Sequence, residues 1–153
     1  MSTTVAQILK AKPDSGRTIY TVTKADFVYD AVKLMAEKGI GALLVMEGDE
    51  IAGIVTERDY ARKVVLQDRS SKATRVDEIM TSKVRYVEPS QSSDECMALM
   101  TEHRMRHLPV LESGKLIGLI SIGDLVKSVI ADQQFTISQL EHYIHGTPTI
   151  TSA

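Results

Sequence analysis

The sequence predicts an α/β (α+β) fold built from two pseudo-twofold β-α-β-β-α repeats packed on their sheets. Three observations carry that expectation. Sliding the 153-residue chain over itself by 65 positions lays residues 20–65 on residues 85–130 without a gap. Strand-like apolar runs and helix-like apolar stripes follow one another in the same order in both copies. One copy, at fewer than 50 residues, is too small to bury a sufficient core alone, whereas two sharing their sheets are not.

The internal match is dense at positions that read as core. Val22 falls on Val87, Leu34 on Leu99, Met35 on Met100, Leu43 on Leu108, Val45 on Val110, Gly53 on Gly118 and Asp59 on Asp124. In the first copy, Ile19–Thr23 is short and β-prone. Phe27 to Lys38 carries Val28, Ala31, Val32, Leu34 and Met35 at helical spacing, and Gly39 is a helix stop. Ala42–Met46 and Ile51–Val55 are apolar runs around a turn at Gly48, a β-hairpin. Thr56 then opens a helix to about Leu66. In the second copy the strand is Val84–Val87, the helix runs from about Ser92 to His103, the hairpin covers His107–Ile120 with Ser113-Gly114 at its turn, and a helix follows Ser121.

A short leader precedes each copy. Val5-Ala6-Gln7-Ile8-Leu9 matches Val76-Asp77-Glu78-Ile79-Met80 at a spacing of 71, so the first copy has six extra residues, in the Pro- and Gly-containing loop of Lys10–Arg17. Gln67–Thr74 is a polar linker. After the repeats, Thr136-Ile137-Ser138-Gln139 has the form of a capping box, followed by an apolar stripe of Ile137, Leu140, Tyr143 and Ile144. Gly146 and Pro148 close this separate tail helix, and 147–153 reads as a frayed end. The tail helix covers the domain's own surface or touches a partner. The chain thus divides into 1–73, 74–131 and 132–153.

Composition narrows the function classes. A net charge of -2 provides no field toward nucleic acid or an anionic membrane. Aromatics are few and Trp is absent, so the core is aliphatic and no stacking platform for single strands is expected. No apolar run is long enough to span a bilayer, and Met1 to Lys12 has no signal-peptide core. One cysteine, Cys96, excludes an internal disulfide framework, so a reducing cytoplasm is the simplest compartment. It falls on Ala31 and reads as a small buried residue rather than a reactive thiol.

The chemistry gathers at Gly53-Ile54-Val55-Thr56-Glu57-Arg58-Asp59 and its twin Gly118-Leu119-Ile120-Ser121-Ile122-Gly123-Asp124. Each is a strand end running into a helix start. On its own, Ser/Thr-x-x-Asp is what capping requires: the hydroxyl accepts a backbone N–H and the carboxylate sits at the positive helix end. A second role is compatible with the first. A first-turn carboxylate also accepts hydrogen bonds from a ribose diol, and free helical N–H groups suit a phosphate.

The doubled pattern, with Arg106-His107-Leu108-Pro109-Val110 opening the second hairpin and Gly-hydrophobic-hydrophobic-[Ser/Thr]-x-x-Asp closing each copy, resembles the CBS-domain family over roughly residues 1–131. A tandem pair is similar to a Bateman module. The resemblance implies adenosine-containing ligands in clefts between repeats: AMP, ADP, ATP, sometimes S-adenosylmethionine or NAD. The family's Asp would hold the ribose hydroxyls, its Ser or Thr and nearby basic residues the phosphates.

By the family's cross-repeat geometry, the main cleft would comprise Thr56, Arg58, Asp59, Val84, Arg85, Met105, Arg106 and His107. The second and weaker one would comprise Tyr20, Ile40, Gly41, Ser121 and Asp124, with Lys38 near. His103 and Arg104 read as a solvated helix end. The resemblance also implies a homodimer and an unidentified regulated protein.

The expected function is a non-catalytic, cytoplasmic sensor of an adenine nucleotide, with no metal required and neither nucleic acid nor membrane as partner. The alternative is a structural or interaction protein with empty clefts. An enzyme is disfavoured, since the sequence has no P-loop and no nucleophile signature. The four histidines lack zinc spacing.

Overall fold

The computed structural model describes residues 3–16 and 18–145. In chain order it contains α1 (Val5–Ala11), β1 (Thr21–Val22), α2 (Val28–Lys38), β2 (Ala42–Glu47), β3 (Glu50–Thr56), α3 (Glu57–Tyr60, continued by a π turn, Ala61–Val65), a 3-10 turn (Val76–Glu78), α4 (Ser93–Glu102), β4 (His107–Glu112), β5 (Lys115–Ser121) and α5 (Ile122–His145). These elements form two compact units, residues 17–86 with 111–118, and residues 1–16 with 87–110 and 119–153.

The first of these units holds a three-stranded sheet in the order β1-β2-β3. β1 runs parallel to β2, with Val22 opposite Val45, and β2 runs antiparallel to β3, with Ala42 opposite Thr56. β2 is buried continuously from Ala42 to Val45, and Leu43 and Val45 join Val55 in a cluster with Val28, Ala31 and Met35 of α2 and with Val64, Val76 and Ile79. That is the aliphatic core expected of an aromatic-poor chain. Gly53 is needed where it stands, because a Cβ there would lie 2.7 Å from the Thr81 carbonyl, which bridges the adjacent Ile54.

The second unit repeats the scheme with α4, α5, the start of β4 and the end of β5. Leu108, Val110 and Ile120 are buried, as are Cys96 and Met100 of α4 and Leu125 of α5; Leu108, Val110 and Met100 fall on the core residues Leu43, Val45 and Met35, whereas Leu125 falls on the half-buried Tyr60. Burial lifts the Cys96 thiol to about 11, with the Glu95 charge adding to it, so it is an inert core residue. The strand expected at Val84–Val87 is reduced to one parallel bridge, Val87 to Val110. Pro109 occupies the position of Leu44 and has no N–H for the ladder.

The helix ends match as well. Gly39 closes α2 at φ 64, and the Ile40 N–H reaches back to the Met35 carbonyl at 3.0 Å. Arg104, at the equivalent position, takes φ 51, and the Met105 N–H reaches the Met100 carbonyl at 3.0 Å.

The leaders dock in a pattern that chain order does not suggest. Val5 and Ala6 donate to the Gln91 and Pro89 carbonyls at 2.8 and 3.0 Å. Val76 and Asp77 donate to those of Asp26 and Lys24 at 2.8 and 3.3 Å. Gln91 and Pro89 match Asp26 and Lys24 in the repeat. Each leader therefore closes the turn before the main helix of the other copy. α1 sits in the unit of α4 rather than with the repeat that follows it in the chain.

A second difference concerns the tail. α5 is one continuous helix of 24 residues, with no separate tail helix starting at Thr136. The Thr136 hydroxyl does not cap a terminus; it donates to the Asp132 carbonyl one turn back at 3.0 Å. The expected stop at Gly146 and Pro148 and the frayed end lie outside the described residues.

Candidate functional site

Both strand-to-helix junctions form reciprocal caps. At Thr56, the Asp59 N–H donates to the threonine oxygen at 3.1 Å, and the Thr56 N–H donates to Asp59 Oδ2 at 3.0 Å. At Ser121, the Asp124 N–H donates to the serine oxygen at 3.2 Å, and the Ser121 N–H donates to Asp124 Oδ2 at 2.9 Å. The capping half of the sequence reading is therefore directly visible.

Neighbouring charges distinguish the two aspartates. Asp59 is nearly buried, and both of its oxygens are engaged. Oδ2 accepts from the Thr56 N–H and hydroxyl, and Oδ1 pairs with Lys63 Nζ at 3.1 Å. That ammonium also donates to the Ile79 carbonyl at 2.8 Å. In Asp124, Oδ2 takes both the Ser121 N–H and Lys12 Nζ, the latter at 2.9 Å. No hydrogen bond or ion pair among the described residues reaches its Oδ1. Lys12 is held in place by the Leu119 carbonyl at 2.7 Å. Burial pushes the Asp124 carboxyl up, but the Ser121 N–H and the Lys12 ammonium outweigh it, so the group sits below the usual range and stays ionised.

Within their own unit, Arg106 and His107 stand beside the Asp124 junction. The Ile122 N–H donates to the Arg106 carbonyl at 2.8 Å, just as the Glu57 N–H donates to the Gly41 carbonyl at 3.1 Å in the other unit. The cause is hairpin pairing. In an antiparallel hairpin the first residues of the entering strand lie beside the last residues of the leaving strand, where the helix begins. Within each unit, the junction thus has the entering strand of its own hairpin beside it.

His107 is half-buried, and burial holds its pKa below the ordinary value. The Asp124 charge raises it, while the Lys12 and Arg106 charges lower it further. Lys12 was not anticipated from sequence; it lies in the six-residue excess of the first leader, 112 positions from Asp124.

The remaining expected residues fall as follows. Arg58 is exposed in the first turn of α3, and Arg85 is exposed. Val84 lines a cavity of about 300 Å3 with Ile51, Ser82, Tyr86 and Leu116, and Asp59 is not on its wall. Met105 is half-buried in the α4 cap. Tyr20 is half-buried under the Lys38 ammonium, 5.2 Å from its ring centre, and both Tyr20 and the half-buried Ile40 pack against the core of the first unit. Among the described residues no cluster of three His, Cys, Asp or Glu side chains has metal-binding geometry, and no helix is long and apolar enough to cross a membrane.

A doubled hairpin unit with a capped Ser/Thr-x-x-Asp junction at each end defines a tandem regulatory-type module, and comparison with known proteins places it. The sequence model of the CBS domain matches residues 15–66 and 76–131. The chain belongs to the CBS-domain family. It is 92% identical to a solved CBS-domain protein from Burkholderia ambifaria MC40-6, with a TM-score of 0.84 over 89% of this chain and 100% of that one. It is 43% identical to the CBS domain-containing protein CBSX3, mitochondrial, of Arabidopsis thaliana, over 95% of this chain and 73% of that protein. It is 32% identical to a hexameric CBS-CP12 protein from bloom-forming cyanobacteria, with a TM-score of 0.72 over 82% of this chain and 67% of that one.

Proposed function

We propose that the chain is a non-catalytic regulatory module that binds an adenosine-containing ligand, AMP, ADP, ATP or NAD, and acts on a partner protein through ligand-dependent shape. One observation carries the reading: Asp124 is an ionised carboxylate with an open oxygen at the start of a long helix, and Lys12, Arg106 and His107 gather beside it. A ribose diol donates to Oδ1. The phosphates then attract the Lys12 ammonium and the Arg106 guanidinium, and a proton taken up by His107 adds a third cation. Asp59, with both oxygens engaged, suits a structural cap or a less charged ligand.

A ligand that prefers one arrangement of the module shifts the population toward it, and this signals without catalysis. The module works as a homodimer in the cytoplasm on this reading; the hexameric cyanobacterial relative supports self-association. The test is a thermal-shift screen with AMP, ADP, ATP and NAD. A ligand at a hundredfold its Kd stabilises by about 2.7 kcal/mol. A flat response across all four would favour the other reading, an interaction protein without a ligand.

A further inference from the structure

The last helix outruns the unit it belongs to. α5 spans 24 residues, about 36 Å. Its first half is anchored: Leu125 is fully buried, and the Thr3 hydroxyl donates to the Asp132 carboxylate at 3.1 Å. Beyond Asp132, every described side chain is exposed. About a dozen helical residues whose side chains are all exposed are marginal in water.

The exposed side chains form a pattern. Val126, Ile130, Gln133, Ile137, Leu140 and Ile144 recur at alternating steps of four and three, the 3.5-residue period of a helix-pairing seam. The five apolar members are 46, 52, 47, 56 and 72% exposed. This seam is complementary to itself when run backwards. Val126 falls opposite Ile144 of a second copy, Ile130 opposite Leu140, and Gln133 opposite Ile137, and the same three layers recur by symmetry.

Charge selects the direction. Lys127 and Glu141 flank the seam on the same side, and neither has an ion pair among the described residues. In the antiparallel arrangement Lys127 lies across from Glu141 of the second copy, twice by symmetry. In a parallel arrangement neither has an opposite charge, and Gln133 would face Gln133 in the seam.

We propose that α5 pairs antiparallel with the same helix of a second copy of this chain, through Val126, Ile130, Gln133, Ile137, Leu140 and Ile144. This deepens the homodimer part of the reading above and rests on it, but not on ligand binding. The pairing makes α5 a rigid link between the Asp124 junctions at the starts of the two helices.

Disulfide trapping tests register and direction in the full chain, since native Cys96 is buried. The Val126→Cys/Ile144→Cys double variant should form a covalent dimer under mild oxidation, while each single variant stays uncoupled. Sedimentation should show a wild-type dimer weakened at least tenfold by Lys127→Glu and restored by Lys127→Glu/Glu141→Lys. Self-coupling of Ile144→Cys alone would overturn the antiparallel direction. A wild-type dimer in which the double variant does not couple would overturn the seam while leaving the homodimer standing. A wild-type monomer at all concentrations would overturn both.

Discussion

Lys12 and Asp124 lie 112 positions apart in the chain and 2.9 Å apart in the fold. The ammonium occupies one carboxylate oxygen and leaves the other open, so the pair joins a helix cap to an anion-attracting group. On the proposed reading, Lys12 transfers part of its interaction to phosphate when a nucleotide arrives. Lys12→Met should therefore weaken ATP binding by about tenfold, the loss of one charge-assisted contact. Folding stability should change by less than about 1 kcal/mol, because the pair is partly exposed. Titration calorimetry and chemical denaturation of the same variant check the two halves.

On the same proposed reading, His107 makes nucleotide binding dependent on pH. In the free protein its pKa is below the ordinary value, so it is neutral at neutral pH. A phosphate beside it raises that pKa, and binding then takes up a proton. Affinity for ATP should rise as pH falls from about 8 to about 6, and Asp124 stays ionised throughout because its carboxyl is held low. His107→Asn should flatten the profile. An unchanged profile in that variant would remove His107 from the phosphate site.

Arg104 closes α4 in a left-handed conformation that Gly39 adopts in the first copy. A side chain there costs roughly 1–2 kcal/mol, and glycine's greater freedom in the unfolded chain returns part of the gain. Arg104→Gly should stabilise the protein by about 0.5–1 kcal/mol in a denaturant titration. A destabilised variant would mean that the arginine side chain makes contacts outweighing its backbone strain.

Gly53 shows the opposite case. Gly53→Ala would place a Cβ 2.7 Å from the Thr81 carbonyl, a backbone atom that cannot swing aside. The expected cost is about 1–3 kcal/mol, measured by thermal or chemical denaturation.

Much of this fold was readable because the same aliphatic positions carry it twice. Leu43 and Leu108, or Met35 and Met100, are core in both copies and mark the repeat without any alignment to other proteins. The paired Ser/Thr-x-x-Asp caps were readable because capping is local chemistry. Three features were not. The strand at Val84–Val87 is lost through Pro109, a residue in a different strand. Thr136 imitates a helix start, and only the preceding turn, continuous with it, reveals that its hydroxyl bonds backward. The Lys12 contact depends on each leader docking on the other copy, which no spacing along the chain encodes. That docking gives Asp124 the Lys12 ammonium as a neighbour.

The most direct test is calorimetry of ATP and AMP with wild type, Asp124→Ala and Asp59→Ala. The account predicts binding to wild type, loss of at least tenfold in affinity for Asp124→Ala, and a smaller effect for Asp59→Ala once folding of each variant is verified. Wild-type-like binding by Asp124→Ala, or no binding of either nucleotide by the wild type, would contradict it.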